Sequence, residues 1–266
     1  MYETTYHRAG SVADAAAKLA GAEEAKILAG GQTLIPTMKQ RLAAPSDLID
    51  IRRLDELKGI EVAGGTVTIG AGTAHADVAN SDAVNGAIPA LATLAGLIGD
   101  PHVRHMGTIG GSIANNDPAA DYPAAVLALG ATVTTTKRTI AADDYFQGLF
   151  ETALDDDEII TRVSFPVPAK AGYAKFPNPA SRYAMCGVFV AQMADGSVRV
   201  AVTGAGNNGV FRHEGMEAAL AANWSVDAVA DQTVSADDMI GDMHGSAEYR
   251  ANLVTVMAKR AVAAAG

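Results

Sequence analysis

Two glycine pairs constrain this chain more strongly than any other feature of its sequence. The first lies in residues 29–33 (AGGQT) and the second in residues 108–112 (TIGGS), each between a hydrophobic segment and a predicted helix start. Paired glycines permit positive φ and leave no Cβ in the way of a neighbouring group. Successive backbone N–H groups can then face one concavity, and the helix start beyond them adds further free donors. This pattern favours an anion such as a pyrophosphate, held between the two turns.

Polar residues follow the second turn at short spacing. Asn115, Asp117 and Asp121 supply donors and acceptors that suit sugar or ribityl hydroxyls. A glycine pair by itself is more often a tight turn that binds nothing. From the residues alone we therefore predict a nucleotide-like ligand and no specific cofactor.

Composition and charge disfavour several classes of function. Of the 266 residues, 49% are hydrophobic, enough for a sizeable core, and the formal net charge is −10. An acidic chain disfavours binding to nucleic acid and to anionic membrane surfaces. The single cysteine, Cys186, allows no internal disulfide and supplies too few thiolates for an iron–sulfur cluster. With no signal-peptide pattern and no apolar run of roughly 20 residues, we predict a cytoplasmic protein without a membrane span.

Secondary-structure signals divide the chain into three blocks. Residues 1–53 alternate between strand and helix patterns, which is typical of a β/α unit. Residues 54–168 combine strands with helices and end in a proline-rich segment. Residues 169–266 contain a predicted hairpin around the turn ADG, followed by two helices, the last from Ser246 onward. We predict three structural units with these bounds.

Several local signals predict where helices begin and end. Ser11 is the predicted N-cap of the first helix, which Gly21 ends. A second helix is predicted to open near Thr33 and to close at Pro45. Thr73 is the predicted cap of the helix that follows the strand GGTVTIGAG.

Longer segments around both turns resemble a known family. AKILAGGQTLIPTMKQRLAAPSDLIDI is similar to the first flavin loop of the medium subunit of carbon monoxide dehydrogenase and related molybdenum hydroxylases. GDPHVRHMGTIGGSIANNDPAADYPAAVLALGA is similar to their second flavin loop, and SAEYRANLVTVMAKRAV resembles their last helix. The similarity spans nearly the whole chain in the right order. The chain is identified as a member of the carbon monoxide dehydrogenase and xanthine dehydrogenase family.

The resemblance implies a fold as well as a family. It implies an α+β protein with the two-lobed FAD-binding fold of vanillyl-alcohol oxidases and a small C-terminal α+β domain, like that of the carbon monoxide dehydrogenase flavoprotein. Residues 1–53 and 54–168 then form the two FAD-binding subdomains. Residues 169–266 form the C-terminal domain.

The resemblance also implies which residues hold a non-covalently bound FAD. The two turns clasp its pyrophosphate, and Asp121 holds the sugar-like chain. Ile98 and Ile160 pack beside the flavin, Lys175 lies at the flavin edge, and Tyr183 shields the ring. The full set of predicted cofactor-binding residues is Lys26, Leu28, Ala29, Gly30, Gly31, Gln32, Thr33, Leu34, Ile98, Thr108, Ile109, Gly110, Gly111, Ser112, Asn115, Asp117, Asp121, Ile160, Lys175 and Tyr183.

Two positions depart from the family pattern. Ser112 stands where many relatives have asparagine, and Gln32 stands where several have histidine. Both side chains can still donate and accept hydrogen bonds, so neither departure argues against a bound flavin.

The function implied by the resemblance is electron transfer. In the family, substrate is hydroxylated at a molybdenum cofactor in a large subunit, and electrons pass through iron–sulfur clusters in a small subunit to FAD. The FAD passes them to an external acceptor. A chain with one cysteine agrees with clusters held by a partner. We therefore predict an oxidoreductase subunit with no catalytic side chain and no metal of its own, in a heterotrimer that dimerises.

Two other functions are kept as alternatives. A stand-alone FAD-dependent oxidoreductase of the same fold would act on its own substrate, but the third block offers no obvious acid–base pair. A flavin-free assembly module would not need the intact glycine turns. Carbon monoxide, aldehydes, purines and other N-heterocycles all stay open as substrates of the complex.

Four other features are interpreted as structural. Residues 204–209 (GAGNNG) match the dinucleotide-binding pattern, but their strand belongs to the predicted hairpin and too little chain follows for a doubly wound unit. His102 and His105 lack a third metal ligand at a defined position. The acidic run 155–158 (DDDE) is predicted to be a solvated turn, and Cys186 a buried structural thiol.

Overall fold

The N-terminal lobe is built on three short parallel strands, each joined to the next through a helix. The computed structural model describes residues 1–265. The elements of this lobe are β1 (Thr5–Arg8), α1 (Val12–Ala20), β2 (Ala25–Leu28), α2 (Leu34–Lys39) and β3 (Asp47–Asp50). The strands pair in the order β1-β3-β2. Parallel neighbours need such crossover connections, so the predicted strand–helix alternation is confirmed.

The two helices of this lobe begin as predicted, but α2 ends early. Ser11 caps α1, and its hydroxyl accepts a hydrogen bond from the amide three residues further on (3.1 Å). α2 begins after Thr33 and ends at Lys39, well before Pro45. Arg41 follows with φ at +63°, in the left-handed region. A left-handed backbone turn therefore stops this helix, and the proline prediction was wrong.

The second lobe surrounds a five-stranded antiparallel sheet. The strands of this lobe are β4 (Ile60–Ala63), β5 (Thr66–Gly70), β6 (Thr132–Thr135), β7 (Thr139–Ala141), β8 (Phe146–Gly148), β9 (Glu151–Thr152) and β10 (Ile160–Pro166). The sheet order is β4-β5-β10-β6-β7, whereas β8 and β9 form a separate hairpin. Its helices are α3 (His75–Ala79), α4 (Asp82–Ala87), α5 (Pro89–Gly96), α6 (Pro101–Met106), α7 (Ile109–Asn115), α8 (Tyr122–Ala128) and α9 (Ala142–Tyr145).

The largest hydrophobic core joins this sheet to α5 and α8. Val67, Ile69 and Phe165 point into it from the sheet, and Leu91 enters from α5. Every residue of α8 is buried. A short helix that is apolar on all sides lies in the interior. Asp121, the residue that precedes α8, is therefore buried as well.

Thr73 does not cap the helix that follows it. α3 begins after Ala74, and no side chain caps it. The Thr73 hydroxyl instead accepts a hydrogen bond from the amide of Gly59 (3.0 Å) and lies 3.2 Å from that residue's carbonyl oxygen. The cap prediction was wrong because a loop distant in sequence occupies this hydroxyl.

The third lobe is an antiparallel sheet covered by helices. Its elements are β11 (Lys170–Pro177), β12 (Ala184–Gln192), β13 (Val198–Thr203), β14 (Phe211–Arg212), α10 (Glu214–Ala222), α11 (Val226–Ala230) and α12 (Ala247–Ala264). The strands pair in sequence order, which confirms the predicted hairpin of β12 and β13. Residues 204–209 form a loop between β13 and the short strand β14, so the glycine motif leads into a strand and not into a helix. The dinucleotide-binding pattern is therefore coincidental here.

α12 has 18 residues and contains the predicted last helix. It packs along β11 and β12. Within residues 1–265, no helix combines the length and the apolar character that crossing a membrane requires.

The acidic run 155–158 is only in part the solvated turn that its charges predict. Glu158 is buried, and its carboxylate accepts hydrogen bonds from Thr135 (2.5 Å) and from the Nε (3.1 Å) and NH2 (3.0 Å) groups of Arg138. Asp155 is exposed and Asp157 is half-buried, and both pair with Lys137. Burial raises the pKa of Glu158, but the hydrogen bonds from Arg138 and Thr135 outweigh it and lower the pKa to about 2.

We expect Glu158→Gln to lower the free energy of unfolding at neutral pH by about 2 kcal/mol, because the neutral amide loses charge-assisted hydrogen bonds. The folded-state pKa of about 2 lies below the ordinary value of 4.5. The stabilisation is therefore present above pH 4.5 and is lost as the pH falls towards 2. Urea unfolding at several pH values should show the two proteins converging in acid.

Asp156→Asn is the control, because Asp156 is an exposed carboxylate in the same run. We expect it to leave the unfolding free energy nearly unchanged at every pH. A Glu158→Gln difference that stays constant as the pH falls would contradict the assignment of the stabilisation to the ionised carboxylate.

Candidate functional site

The two glycine turns contact each other at the junction of the first two lobes. Gly30 follows β2, and a Cβ there would lie 2.6 Å from the Cα of Gly107 and overlap the carbonyl oxygen of Met106. A Cβ on Gly111 would lie 3.7 Å from the Cβ of Ala29. At residue 30, only glycine lets the two backbones approach this closely. The structure thus brings together two loops that are almost 80 residues apart in sequence.

The first turn has the free donors that an anion site needs. Gly31 has φ at +69°, which reverses the chain direction directly after β2. The carbonyl oxygen of Gly31 accepts a hydrogen bond from Ile35 (3.2 Å) as α2 begins. Among residues 1–265, the amides of residues 31–34 have no backbone acceptor. They point away from internal partners at a helix start, where an anionic group is favoured.

The second turn is arranged differently from the prediction. Gly110 and Gly111 lie inside the first turn of α7, and neither has a positive φ. The Gly110 amide donates to the carbonyl oxygen of Ala71 (2.9 Å), and the Ile109 amide donates to that of Thr73 (3.2 Å). The Gly111 amide donates to the hydroxyl of Thr108 (3.1 Å). Protein groups thus accept from these amides, which are not free as a nest requires. The contribution of Gly110, Gly111 and Ser112 to cofactor binding stays a prediction.

Close packing explains why the second turn needs glycine. A Cβ on Gly110 would lie 2.6 Å from the Cβ of Ala71, so a larger residue would push α7 away from the end of β5. The groups left for a ligand are side chains further along α7. Within the described chain, the side chains of Ser112 and Asn115 form no hydrogen bond, and both are half-buried.

Asp121 is buried at the start of α8 and lies in a network of hydrogen bonds. Tyr173 donates to one carboxylate oxygen (2.6 Å), and the Lys175 ammonium donates to the other (2.9 Å). Lys175 also donates to the carbonyl oxygen of Leu97 (3.1 Å), next to Ile98. Burial raises the pKa of Asp121, while Lys175 and Tyr173 oppose the rise. The two predicted residues Asp121 and Lys175 are therefore each other's nearest charged partner.

Asp117 and Tyr183 line a cavity of about 350 Å³ between the second and third lobes. The Asp117 carboxylate accepts a hydrogen bond from the amide of Ala119 (2.8 Å), and burial raises the pKa of Asp117. Burial and the negative charge of Asp117 also raise the pKa of Tyr183, and contact with Thr33 lowers it. Tyr183 therefore lies between the first turn and the cavity.

The remaining predicted residues divide between the core and the surface. Leu28, Ile109 and Ile160 are buried among hydrophobic side chains, where they support the site from behind. Leu34 and Ile98 are half-buried, and Lys26 is exposed on β2. The Gln32 side chain donates to the carbonyl oxygen of Gly30 (3.3 Å), which holds the first turn.

His75 is a buried residue that the sequence did not single out. It packs beneath Gly107, where a Cβ would lie 2.7 Å from the imidazole Nε2. Its ring centroid lies 5.3 Å from that of Tyr122. Burial lowers the pKa of His75 to about 4, so the ring is neutral at physiological pH. A lone histidine after a strand gives no sequence signal for this packing role.

Local contacts account for His105 and Cys186, which the sequence also singled out. The Nδ1 atom of His105 lies 2.6 Å from the carbonyl oxygen of Pro101, one helical turn away. Residues 1–265 contain no group of three or more His, Cys, Asp or Glu side chains placed to hold a metal ion. Cys186 is buried in β12, and burial raises the pKa of its thiol to about 12. The prediction of a buried structural thiol is confirmed.

The paired turns were compared with known families. Residues 2–168 match the family described as the FAD binding domain in molybdopterin dehydrogenase. The chain belongs to this family. The match covers both glycine turns and the junction between the first two lobes.

Relatives of known function extend the similarity over the whole chain. The carbon monoxide dehydrogenase medium chain of Hydrogenophaga pseudoflava is 36% identical over 98% of this chain and 96% of its own length. The nicotine 6-hydroxylase medium subunit of Paenarthrobacter nicotinovorans is also 36% identical, with the same coverage. In each, the similarity includes the third lobe.

Solved structures share the complete fold. A crystal structure of a Cu,Mo carbon monoxide dehydrogenase contains a chain with a TM-score of 0.87 and 36% identity, covering 99% of this chain and 98% of that one. Quinoline 2-oxidoreductase from Pseudomonas putida 86 gives a TM-score of 0.87 at 25% identity. The predicted family, the α+β fold, the role as an oxidoreductase subunit and FAD as the cofactor are confirmed.

We expect Gly30→Ala to lower the free energy of unfolding by about 1–3 kcal/mol, because its methyl group would overlap the Met106–Gly107 backbone and force the two turns apart. Gly86→Ala is the matched control, since a Cβ there meets nothing within 4 Å and the residue lies in α4. We expect that control to be neutral or slightly stabilising. Urea unfolding measures both, and equal values for the two variants would contradict the close contact.

Proposed function

We propose that this chain is the FAD-binding electron-transfer subunit of a multi-subunit molybdenum hydroxylase. In this role it passes electrons from iron–sulfur clusters of a partner subunit to an external acceptor. The observation that carries the proposal is the contact of the two glycine turns in a chain that matches carbon monoxide dehydrogenase medium chains from end to end. The division of the chain at about residues 53 and 168 belongs to the same proposal.

The free amides of the first turn are the groups best suited to hold the FAD pyrophosphate. Residues 31–34 present them at the start of α2, and the hydroxyl of Thr33 lies beside them. Across the junction, Ser112 and Asn115 offer side-chain hydrogen bonds from α7. Asp117 and Tyr183 then mark the side on which the flavin and its sugar-like chain would lie. FAD, when bound, supplies the redox chemistry, while these residues bind and orient it.

The surroundings of Lys175 limit the positive charge that it can offer to a bound flavin. Its ammonium pairs with Asp121 at 2.9 Å, and both side chains are almost inaccessible to solvent. A buried ion pair contributes little net charge to its surroundings, so Lys175 is a weak source of positive potential. The amides of residues 31–34 supply that potential instead, because their dipoles are fixed by the fold.

Partner subunits are proposed from the relatives and from the thiol content. The curated relatives are medium chains or subunits of complexes, such as subunit alpha of a 6-hydroxypseudooxynicotine dehydrogenase complex. The only cysteine of this chain, Cys186, is buried in β12 and cannot hold a cluster. We therefore place the clusters in a small subunit and the molybdenum cofactor in a large one, in a cytoplasmic heterotrimer that dimerises.

The substrate is set outside this chain. The relatives are named for carbon monoxide, nicotine and glyceraldehyde, although they match the same lobes at 34–36% identity. An architecture shared by complexes with such different substrates is suited to carrying electrons rather than to recognising one compound.

We expect the purified chain, alone or with its partner subunits, to show the near-ultraviolet and visible absorption bands of oxidised flavin. Mild denaturation should release FAD, because no covalent attachment is proposed. A preparation that stays colourless in both forms after incubation with FAD would contradict the proposed function. Oxygen consumption with a small substrate and no partner would instead identify a stand-alone flavoenzyme.

We also expect no single side chain of this subunit to be required for hydroxylation at molybdenum. Asn115→Ala and Tyr183→Ala should slow reduction of the external acceptor, because each removes a group of the proposed FAD site. Substrate oxidation measured with a dye that accepts electrons upstream of FAD should continue at the wild-type rate. A variant with full FAD content, intact assembly and no hydroxylation would contradict this division of labour.

A further inference from the structure

Arg250 is a buried cation that the predicted FAD site does not account for. It lies in the first turn of α12, and only 4% of its surface is exposed. Its NH1 group donates to the carbonyl oxygens of Met185 (2.7 Å) and Gly204 (2.8 Å), and its NH2 group donates to Asp242 (2.7 Å). A buried charge is stable only when it is paired and hydrogen-bonded, so these three acceptors determine where the guanidinium lies.

The two carbonyl groups held by Arg250 belong to the ends of adjacent strands. Met185 is the second residue of β12, and Gly204 follows the last residue of β13. Gly204 has φ at +81°, and a Cβ there would overlap the backbone of Ala184. One guanidinium therefore joins two strand ends whose backbones are in direct contact.

The same strand ends hold the segment that leads from α7 to α8. The amide of Gly204 donates to the carbonyl oxygen of Pro118 (2.8 Å), and the amide of Ala184 donates to that of Ala119 (3.2 Å). The hydroxyl of Thr203 adds hydrogen bonds to Pro118 (3.2 Å) and Ala120 (2.6 Å). This segment carries Asp117 at its beginning and Asp121 at its end.

Arg250 also lines the cavity that contains Asp117 and Tyr183. Tyr183 immediately precedes β12, so the position of Met185 constrains its backbone. Asp242 and His244 line the same cavity from the loop before α12. The guanidinium is thus part of one wall of the cavity and holds the strand ends that form the rest of that wall.

We propose that Arg250 is a positioning residue for the flavin side of the FAD site. It holds the ends of β12 and β13 in place, and through them the 117–121 segment and Tyr183. The inference rests on the proposed function. It assigns to the C-terminal helix a part in binding the cofactor, which this helix performs through the strands on which it packs.

Only the planar fork of arginine suits this position. Its NH1 group reaches two carbonyl oxygens while NH2 reaches a carboxylate. A lysine would keep the charge but place all its donors on one nitrogen, so it cannot reproduce both directions. Arg250→Lys therefore separates the geometry of the side chain from its charge.

The test compares the affinities for FAD and ADP in Arg250→Lys, Arg250→Met and the wild-type chain, each purified alone and with its partner subunits. ADP carries the pyrophosphate but lacks the flavin and its ribityl chain. We expect both variants to bind FAD about tenfold more weakly or worse, because charged hydrogen bonds that order a binding segment are lost. We expect ADP affinity to be unchanged, since residues 31–34 do not contact Arg250. The visible spectrum of any bound flavin should shift as well.

Arg212→Met is the matched control, because Arg212 forms a comparable bidentate pair with Glu217 (2.8 and 2.7 Å) elsewhere in the third lobe. It should leave FAD affinity and the flavin spectrum unchanged, whatever its effect on stability. If Arg250→Met fails to fold, Arg250→Lys decides the matter.

The outcomes are distinct. Wild-type FAD affinity in Arg250→Lys, or an equal loss of FAD and ADP affinity, overturns the positioning role and leaves the proposed function standing. A wild-type chain that binds no FAD in either preparation overturns the proposed function and this inference with it.

Discussion

The backbone contact of Gly30 with the Met106–Gly107 peptide is the constraint on which the rest of the site depends. It brings the end of a parallel strand in the first lobe against the residues that open α7 in the second. Because both sides of the contact are main chain, a side chain at Gly30 would separate the lobes and no neighbouring side chain could compensate. The free amides of residues 31–34 are therefore held at a fixed place relative to α7.

On the side of the site formed by the C-terminal lobe, buried charged groups fix the positions of the neighbouring segments. Lys175 and Asp121 connect β11 with the start of α8, and Arg250 connects α12 with the ends of two strands. The first pair joins the C-terminal lobe directly to the start of α8. Arg250 acts on the 117–121 segment only through the strand ends that it holds. Removing one partner of such a pair leaves an uncompensated charge in the interior, so these contacts tolerate little change.

The sequence predicted most elements but fewer of their contacts. Ser11 was correctly predicted as a cap, because an N-cap acts on an amide only three residues away. Thr73 and Pro45 were not predicted correctly, because a distant loop binds the first and a left-handed residue ends the helix before the second. The resemblance identified the two loops, but it did not show that the amides of the second are already bonded.

The two turns also differ in what surrounds their amides when no ligand is bound. The amides at the start of α7 donate to Ala71, Thr73 and Thr108, whereas residues 31–34 have no acceptor within the described chain. Water must then solvate the amides of the first turn, whereas those at the start of α7 do not need it. Deuterium should accordingly enter the amides of residues 31–34 quickly and those of residues 109–111 slowly. An anion that binds here would displace water from the amides of residues 31–34. The amides of residues 109–111 already have protein acceptors and would need no such exchange.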